Sequence, residues 1–222
     1  MAQKTPKTIS GMEAEKLIEQ LGKCTCSCSS KRKAARNKLI GLLMLEAGLR
    51  VGELSKLKVS DLIYATHPVT NLVLSKEITK RNRERTVPLS ERIQLAIAEN
   101  YDNFWLGSAH VILWWAFCGA KYSEHITVRQ VQRIIENASI IALGKPIHPH
   151  ILRHTFASRL MRITNIRVVQ ELLGHESLQT TQIYTHPNHD DLTHAINGLN
   201  NAETQEKIKS LQNAEIDLAD QQ

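Results

Sequence analysis

No run of about 18 consecutive apolar residues, the length a spanning helix needs, occurs anywhere in the chain, so a membrane-spanning helix is not expected. The most apolar stretch, VILWWAFC over residues 111–118, is too short for that. The opening MAQKTPKTIS lacks the apolar centre of a secretion signal, and a cytoplasmic location is expected. Cysteine is scarce: Cys24, Cys26 and Cys28 crowd into KCTCSCSS and Cys118 lies far away. In a reducing compartment these are expected to be free thiols. Zinc held by the C-x-C-x-C run with Cys118 or a histidine is the alternative, but structural zinc sites space their cysteines more widely. Six histidines fall between His148 and His189, a second cue for a metal cluster. The favoured expectation is no metal and no cofactor. No internal repeat is visible.

What is present is a basic chain with ample apolar content. The 222 residues, 42% of them hydrophobic, suffice for one large domain or two small ones. The net charge of +6 favours an anionic partner, of which nucleic acid is the commonest. The chain is organised around HPHILRHTFASRLMRITNIRVVQELLGHESLQTTQIYTH, from His148 to His186. Pro149 suits a first helical turn, where its missing N–H costs nothing. Phe156, Leu160 and Ile163 then recur at helical spacing as a packing stripe. His150 and Arg153, three apart, share a face of that first turn. Asn165 is placed to cap a second short helix whose buried side is Val168, Val169, Leu172 and Leu173. Gly174 ends it in a left-handed turn, with His175 next. Ser177 reads as another N-cap, and Tyr184 sits on a short element that ends near Pro187.

Two histidines, an arginine and a tyrosine are thereby mounted on three short helices. A guanidinium pairs with a phosphate in bidentate fashion, imidazoles donate to its other oxygens, and a phenol oxygen attacks phosphorus. Phenol is a weak nucleophile at its free pKa of about 10, so it needs cations and a proton acceptor beside it. Any one such residue alone is ordinarily incidental; four between matching caps and glycines are not.

Three segments, HPHILRHTFAS, LLGHESLQTTQIYTH and the upstream AGLRVGELSKLKVSDL, make the chain resemble the tyrosine recombinases, or phage integrase family. The match runs roughly from residue 8 to residue 190. The resemblance implies a catalytic domain that is mainly α with a small antiparallel β-sheet (α+β). His150 and Arg153 match the family's H-x-x-R pair, His175 its later His/Trp position, Tyr184 its nucleophile and Arg50 its first catalytic arginine. Glu53, one turn from Arg50 in R-x-x-E-L, is placed to orient it; the plain alternative is a surface ion pair worth little. Asn71–Thr79 and Arg85–Leu89 read as strands around the polar turn KRNRER. They resemble the family's small sheet, whose turn carries a catalytic lysine. Lys80 occupies that place, with Lys76 its rival, and Arg81 stands where the family's K-G-N-x-x-R has glycine.

The remaining segments read as supports. Residues 1–11 are expected to be flexible. Ser10 caps a helix over Met12–Leu21. GKCTCSCSSKRKAARN is either a solvated loop or a contact for DNA phosphates, and a helix from about Ala34 buries Leu39, Leu42, Leu43 and Leu45 before Gly48 ends it. Residues 90–100 form a helix with Ile93, Leu95, Ala96 and Ile97 available for packing. Trp105, Trp114, Trp115 and Phe117 are expected to pack in a core rather than stack on bases. Thr127 caps a helix over Val128–Leu143 with Val131, Ile134, Ile135 and Ala138 inward. Its Arg129 and Arg133, like Arg81 and Arg83 of the turn, are candidate DNA contacts, with solvated charge as the alternative. A catalytic domain over residues 12–190 and a helical tail over 191–222, with Leu192, Ile196 and Leu199 as an apolar stripe, complete the chain. In the family such a tail often enters the neighbouring subunit; packing in cis is the other choice.

The resemblance implies breakage and rejoining of double-stranded DNA through a 3′-phosphotyrosine at Tyr184, normally in a homo-tetramer, with accessory DNA-binding proteins as further partners. Only 49 residues precede Arg50, so no separate N-terminal core-binding domain is expected, either by nature or by truncation. A one-sided grip on DNA should be weaker and more salt-sensitive. Two other readings compete: a catalytically silent DNA-binding accessory protein of the same fold, and a type IB topoisomerase-like nicking-closing enzyme.

Overall fold

The computed structural model describes residues 7–24, 28–79, 83–106, 115–118 and 124–175. Lys80, Arg81, Tyr184, the helix of Leu192 and the tail lie outside them. Helices α1 (Gly11–Leu21), α2 (Cys28–Glu46), α3 (Val51–Ser55) and α4 (Val59–Leu62) come first. Two short ladders follow, β1 (Ile63–Tyr64) with β2 (His67–Pro68) and β3 (Asn71–Leu74) with β4 (Arg85–Pro88), both antiparallel. Then come α5 (Glu91–Asn100), running into a single π turn over Tyr101–Trp105, and α6 (Val128–Leu143), α7 (Pro149–Met161) and α8 (Ile166–Leu173). This is the mainly helical architecture with small antiparallel sheets that the sequence implies.

Caps set the helix starts. Ser10 and Glu13 form a reciprocal capping box at α1, and Thr127 and Gln130 form another at α6, which spans the expected Val128–Leu143. Just before α1, Ile9 is buried and its N–H donates to Thr155 Oγ1 at 3.1 Å. The central α2 supplies much of the core, with Leu39, Ile40, Leu42 and Leu43 buried, and α1, α5 and α7 pack around it. It starts at Cys28, six residues before the expected Ala34, so the basic run KRKAAR is helical rather than loop.

Several expected packing positions are displaced. The strand read over Asn71–Thr79 stops at Leu74, because only Asn71–Leu74 finds partners, across from Arg85–Pro88. Leu95 faces water on α5 while Ile93, Ala96 and Ile97 are buried. Helix α7 ends at Met161, two residues short of Ile163, which is therefore exposed rather than part of the stripe. On α8 the inward pair is Val169 and Leu173, four apart on one face, and Val168 turns outward. Trp105 and Phe117 are core residues, as expected.

Gly48 makes the joint between α2 and α3. Its φ of +62° is left-handed, and a Cβ there would stand 2.3 Å from the Phe156 ring. Only glycine lets the chain reverse so close to α7. Arg50 leaves this joint as the residue before α3, and Arg153 leaves α7 one turn from Phe156.

Candidate active site

Arg153 is 5% exposed, and neutral oxygens orient its guanidinium. Its Nη1 donates to the Gly48 carbonyl in a short hydrogen bond, and its Nη2 donates to the Leu173 carbonyl at 2.6 Å. The same Nη2 lies 3.4 Å from His175 Nε2. Two candidates far apart in sequence are thus brought together where α2 and α8 end.

Arg50 is held from behind. Its backbone N–H donates to Glu53 Oε2 at 2.8 Å and its Nη1 to Oε1 at 2.9 Å. Glu53 is 1% exposed, so the pair is not the weak surface contact that was the plain alternative. A second arginine explains how a carboxylate survives there. Arg85 Nη1 and Nη2 donate to Oε1 and Oε2 at 2.8 and 2.7 Å, a two-point fork that is itself buried. Burial pushes the Glu53 carboxyl up, but the hydrogen bonds and charge of Arg85, then those of Arg50, outweigh it and hold it down at about 2.

Arg85 is not among the residues that the sequence motifs single out. Two signals mark it: an arginine at an inward position of a strand, and the last place of the K-G-N-x-x-R pattern that KRNRER follows. Its Nε also donates to the Leu172 carbonyl at 3.1 Å.

The end of α8 can be accounted for carbonyl by carbonyl. A helix leaves its last four carbonyls without intrahelical partners. Here Gln170 O accepts from the His175 N–H, Glu171 O from the Gly174 N–H, Leu172 O from Arg85 and Leu173 O from Arg153. Gly174, at φ +61°, provides the left-handed reversal, and His175 follows with its carbonyl held by Gln170 Nε2 at 3.0 Å. The two cationic side chains also sit where the α8 dipole is negative.

Arg50, Arg83, Arg85, Arg167 and His175 line an open cleft of about 630 Å³, with Glu84 and Glu171 as its acidic members. Arg83, a candidate DNA contact from the sequence, is thus among the lining residues, and so is Arg167 of α8. His150 is exposed on the first turn of α7 and does not line this cleft. Next along that helix, His154 is half-buried; burial, then the charges of His150 and Arg153, push its imidazole below the usual value. Arg129 and Arg133 are exposed on α6 and do not line the cleft, and Lys76, the rival to Lys80, is exposed and does not line it either. Cys24 and Cys118 are free thiols. Among the described residues no group of three His, Cys, Asp or Glu side chains is arranged to hold a metal.

Comparison with known proteins gives the same family. The phage integrase family profile matches residues 7–191. Tyrosine recombinase XerC of Corynebacterium glutamicum is 32% identical over 196 residues, covering 86% of this chain and 58% of the relative. The crystal structure of XerA recombinase superposes with a TM-score of 0.69 at 29% identity, over 88% of this chain and 65% of that one. That of the XerH site-specific recombinase bound to its difH substrate gives a TM-score of 0.64 at 25% identity, over 82% of this chain and 51% of that one. The chain spans about half to three fifths of the length of the curated relatives it matches. It belongs to the phage integrase family, the tyrosine recombinases.

Proposed function

We propose that this chain is the catalytic domain of a site-specific DNA recombinase that cuts and rejoins DNA through a 3′-phosphotyrosine at Tyr184. The observation that carries the reading is the convergence of Arg50, Arg153 and His175 on one region, with both guanidiniums aimed by buried acceptors. The two arginines grip the non-bridging oxygens of the scissile phosphate and His175 donates to one of them. Donors fixed in advance in this way typically contribute roughly 3–4 kcal/mol each to transition-state stabilisation. The Tyr184 oxygen forms the new bond to phosphorus, and the bond to the 5′-oxygen breaks. His150 takes the phenol proton and Lys80 gives one to the leaving 5′-oxygen. The bond energy stays in the phosphotyrosine, so the reverse attack by a 5′-hydroxyl rejoins DNA without ATP.

The partner is double-stranded DNA; the XerH site-specific recombinase was solved bound to its difH substrate. Arg83 and Arg167, which line the cleft, and Arg81, Arg129 and Arg133 are backbone contacts in this reading. Residues 12–190 form the catalytic unit and residues 191–222 a tail exchanged within a tetramer on DNA.

The test is covalent trapping on nicked suicide duplexes drawn from the flanks of the gene. The wild-type chain should form a denaturant-resistant DNA adduct. Tyr184→Phe should lose it while still binding the duplex. An adduct that persists in the phenylalanine variant refutes the assignment of the nucleophile. DNA binding with no adduct from the wild type favours the silent accessory protein instead.

A further inference from the structure

We propose that Arg85 is a positioning residue for DNA cleavage: it fixes the distance between the joint that presents Arg50 and the helix end that presents His175. The proposal rests on the recombinase reading of the same site. Its basis is a pair of parallel ties across one gap. On one side Leu173 O, Arg153 and Gly48 O join the end of α8 to the α2–α3 joint. On the other, Leu172 O, Arg85, Glu53 and Arg50 join the same two places. Arg153 has to grip the phosphate as well as tie the backbone, whereas Arg85 turns its fork inward onto Glu53. Arg85 therefore holds the geometry while Arg153 works.

Guanidinium chemistry is required for this. Three N–H groups of one rigid plane reach two carboxylate oxygens and a carbonyl at once, and an ammonium on a flexible stem cannot span all three. The packing is close as well: a Cβ on Gly174 would stand 3.0 Å from Arg85 Cδ. Stability alone is a poor account of the arrangement, since a buried ion pair typically gains little over apolar packing of the same volume. What the pair supplies is a fixed orientation for Arg50, plus a terminus for α8 that sets where His175 begins. Arg85 also opens β4, so the same side chain ties the β3–β4 ladder to Glu53 and to the end of α8.

The test uses the full chain and Arg85→Lys, which keeps a positive charge against Glu53. Single-turnover cleavage at saturating suicide duplex should slow by about 10- to 100-fold, the cost of a displaced catalytic group. DNA affinity should be unchanged and the melting temperature should stay above that of the assay. In the DNA-free protein, amide hydrogen exchange at Gly174 and His175 should accelerate while that of α1 does not. Cleavage at the wild-type rate overturns the proposal, as does a parallel loss of binding and cleavage, which makes Arg85 a DNA contact. If the wild type forms no adduct the recombinase reading fails separately, and unchanged exchange at Gly174 and His175 then overturns the positioning role by itself.

Discussion

Replacing Glu53 with glutamine tests the electrostatic centre of the site with little change of shape. The folded carboxyl is held at about 2 against an ordinary 4.5. At roughly 1.4 kcal/mol per pH unit, that depression corresponds to about 3 kcal/mol of folding stability. Loss of one partner from a buried pair typically costs about 3–5 kcal/mol, the same range by a separate route. Glu53→Gln should therefore lower stability at pH 7 by about 3 kcal/mol, or about 6–12 °C in melting temperature for a domain of this size. The sign of the pH dependence follows from the depressed value. The unfolded carboxyl binds its proton more tightly, so the contribution is complete above pH 4.5 and is lost as pH falls towards 2. Urea unfolding of both proteins across that range isolates the effect. Glu13 and Glu15, whose carboxyls are also held below the usual range, are common to both and cancel in the difference. The gap between wild type and variant should close with acid. A gap that is absent at pH 7, or that keeps its size at low pH, refutes the account of the Arg50–Glu53–Arg85 cluster.

Four other outcomes follow from the structure. Gly48→Ala must fit a methyl group 2.3 Å from the Phe156 ring at a left-handed φ; a loss of about 2–4 kcal/mol in denaturant unfolding is expected, since strain and overpacking add. Asn165 accepts from the N–H groups of Arg167 and Val168 at 3.1 Å, so Asn165→Ala should cost about 1 kcal/mol and Asn165→Asp much less. Arg153→Ala should slow adduct formation by about 100- to 1000-fold at saturating DNA; an unchanged rate removes it from the phosphate grip. EDTA should leave adduct formation unaltered, because protein side chains carry each assigned step; a clear loss on chelation would redirect attention to the cysteines and histidines.

The parts of the molecule legible in the sequence are those with local signals. Helix α6 has a capping box at one end, a left-handed glycine at the other and strong periodicity between, so its bounds can be read. The first turns of helix α2 run through KRKAAR, where charge masks helical continuity. Ile163 follows the i, i+7 pattern but lies past the end of its helix, and a pattern cannot show where hydrogen bonding stops. Val168 and Val169 are equally apolar, and only the docking of α8 decides which one turns inward. In the candidate site, Arg50, Arg153 and His175 sit in recognisable motifs. Arg85 ends the K-G-N-x-x-R pattern, but its pairing does not show there, because its partners Glu53 and Leu172 are 32 and 87 positions away. A long-range pairing of buried charges leaves no periodic trace along the chain.

The site is assembled from helix ends, and this has a physical cause. Gly48 lies just past α2, Arg50 just before α3, and Leu172 to His175 close α8. Such ends are where backbone groups are left unpaired, and burying them without partners is costly. Guanidiniums answer that need with several donors each, and the acceptors they find are fixed by whole helices rather than by mobile side chains. The arginines that satisfy the scaffold are thereby aimed by it. This couples folding to chemistry: a substitution at Arg153 or Arg85 removes a backbone acceptor's partner as well as a charge. Rates and stabilities must therefore be measured together. The informative variants are those in which the rate at saturating DNA falls while the fold and the grip on the duplex persist.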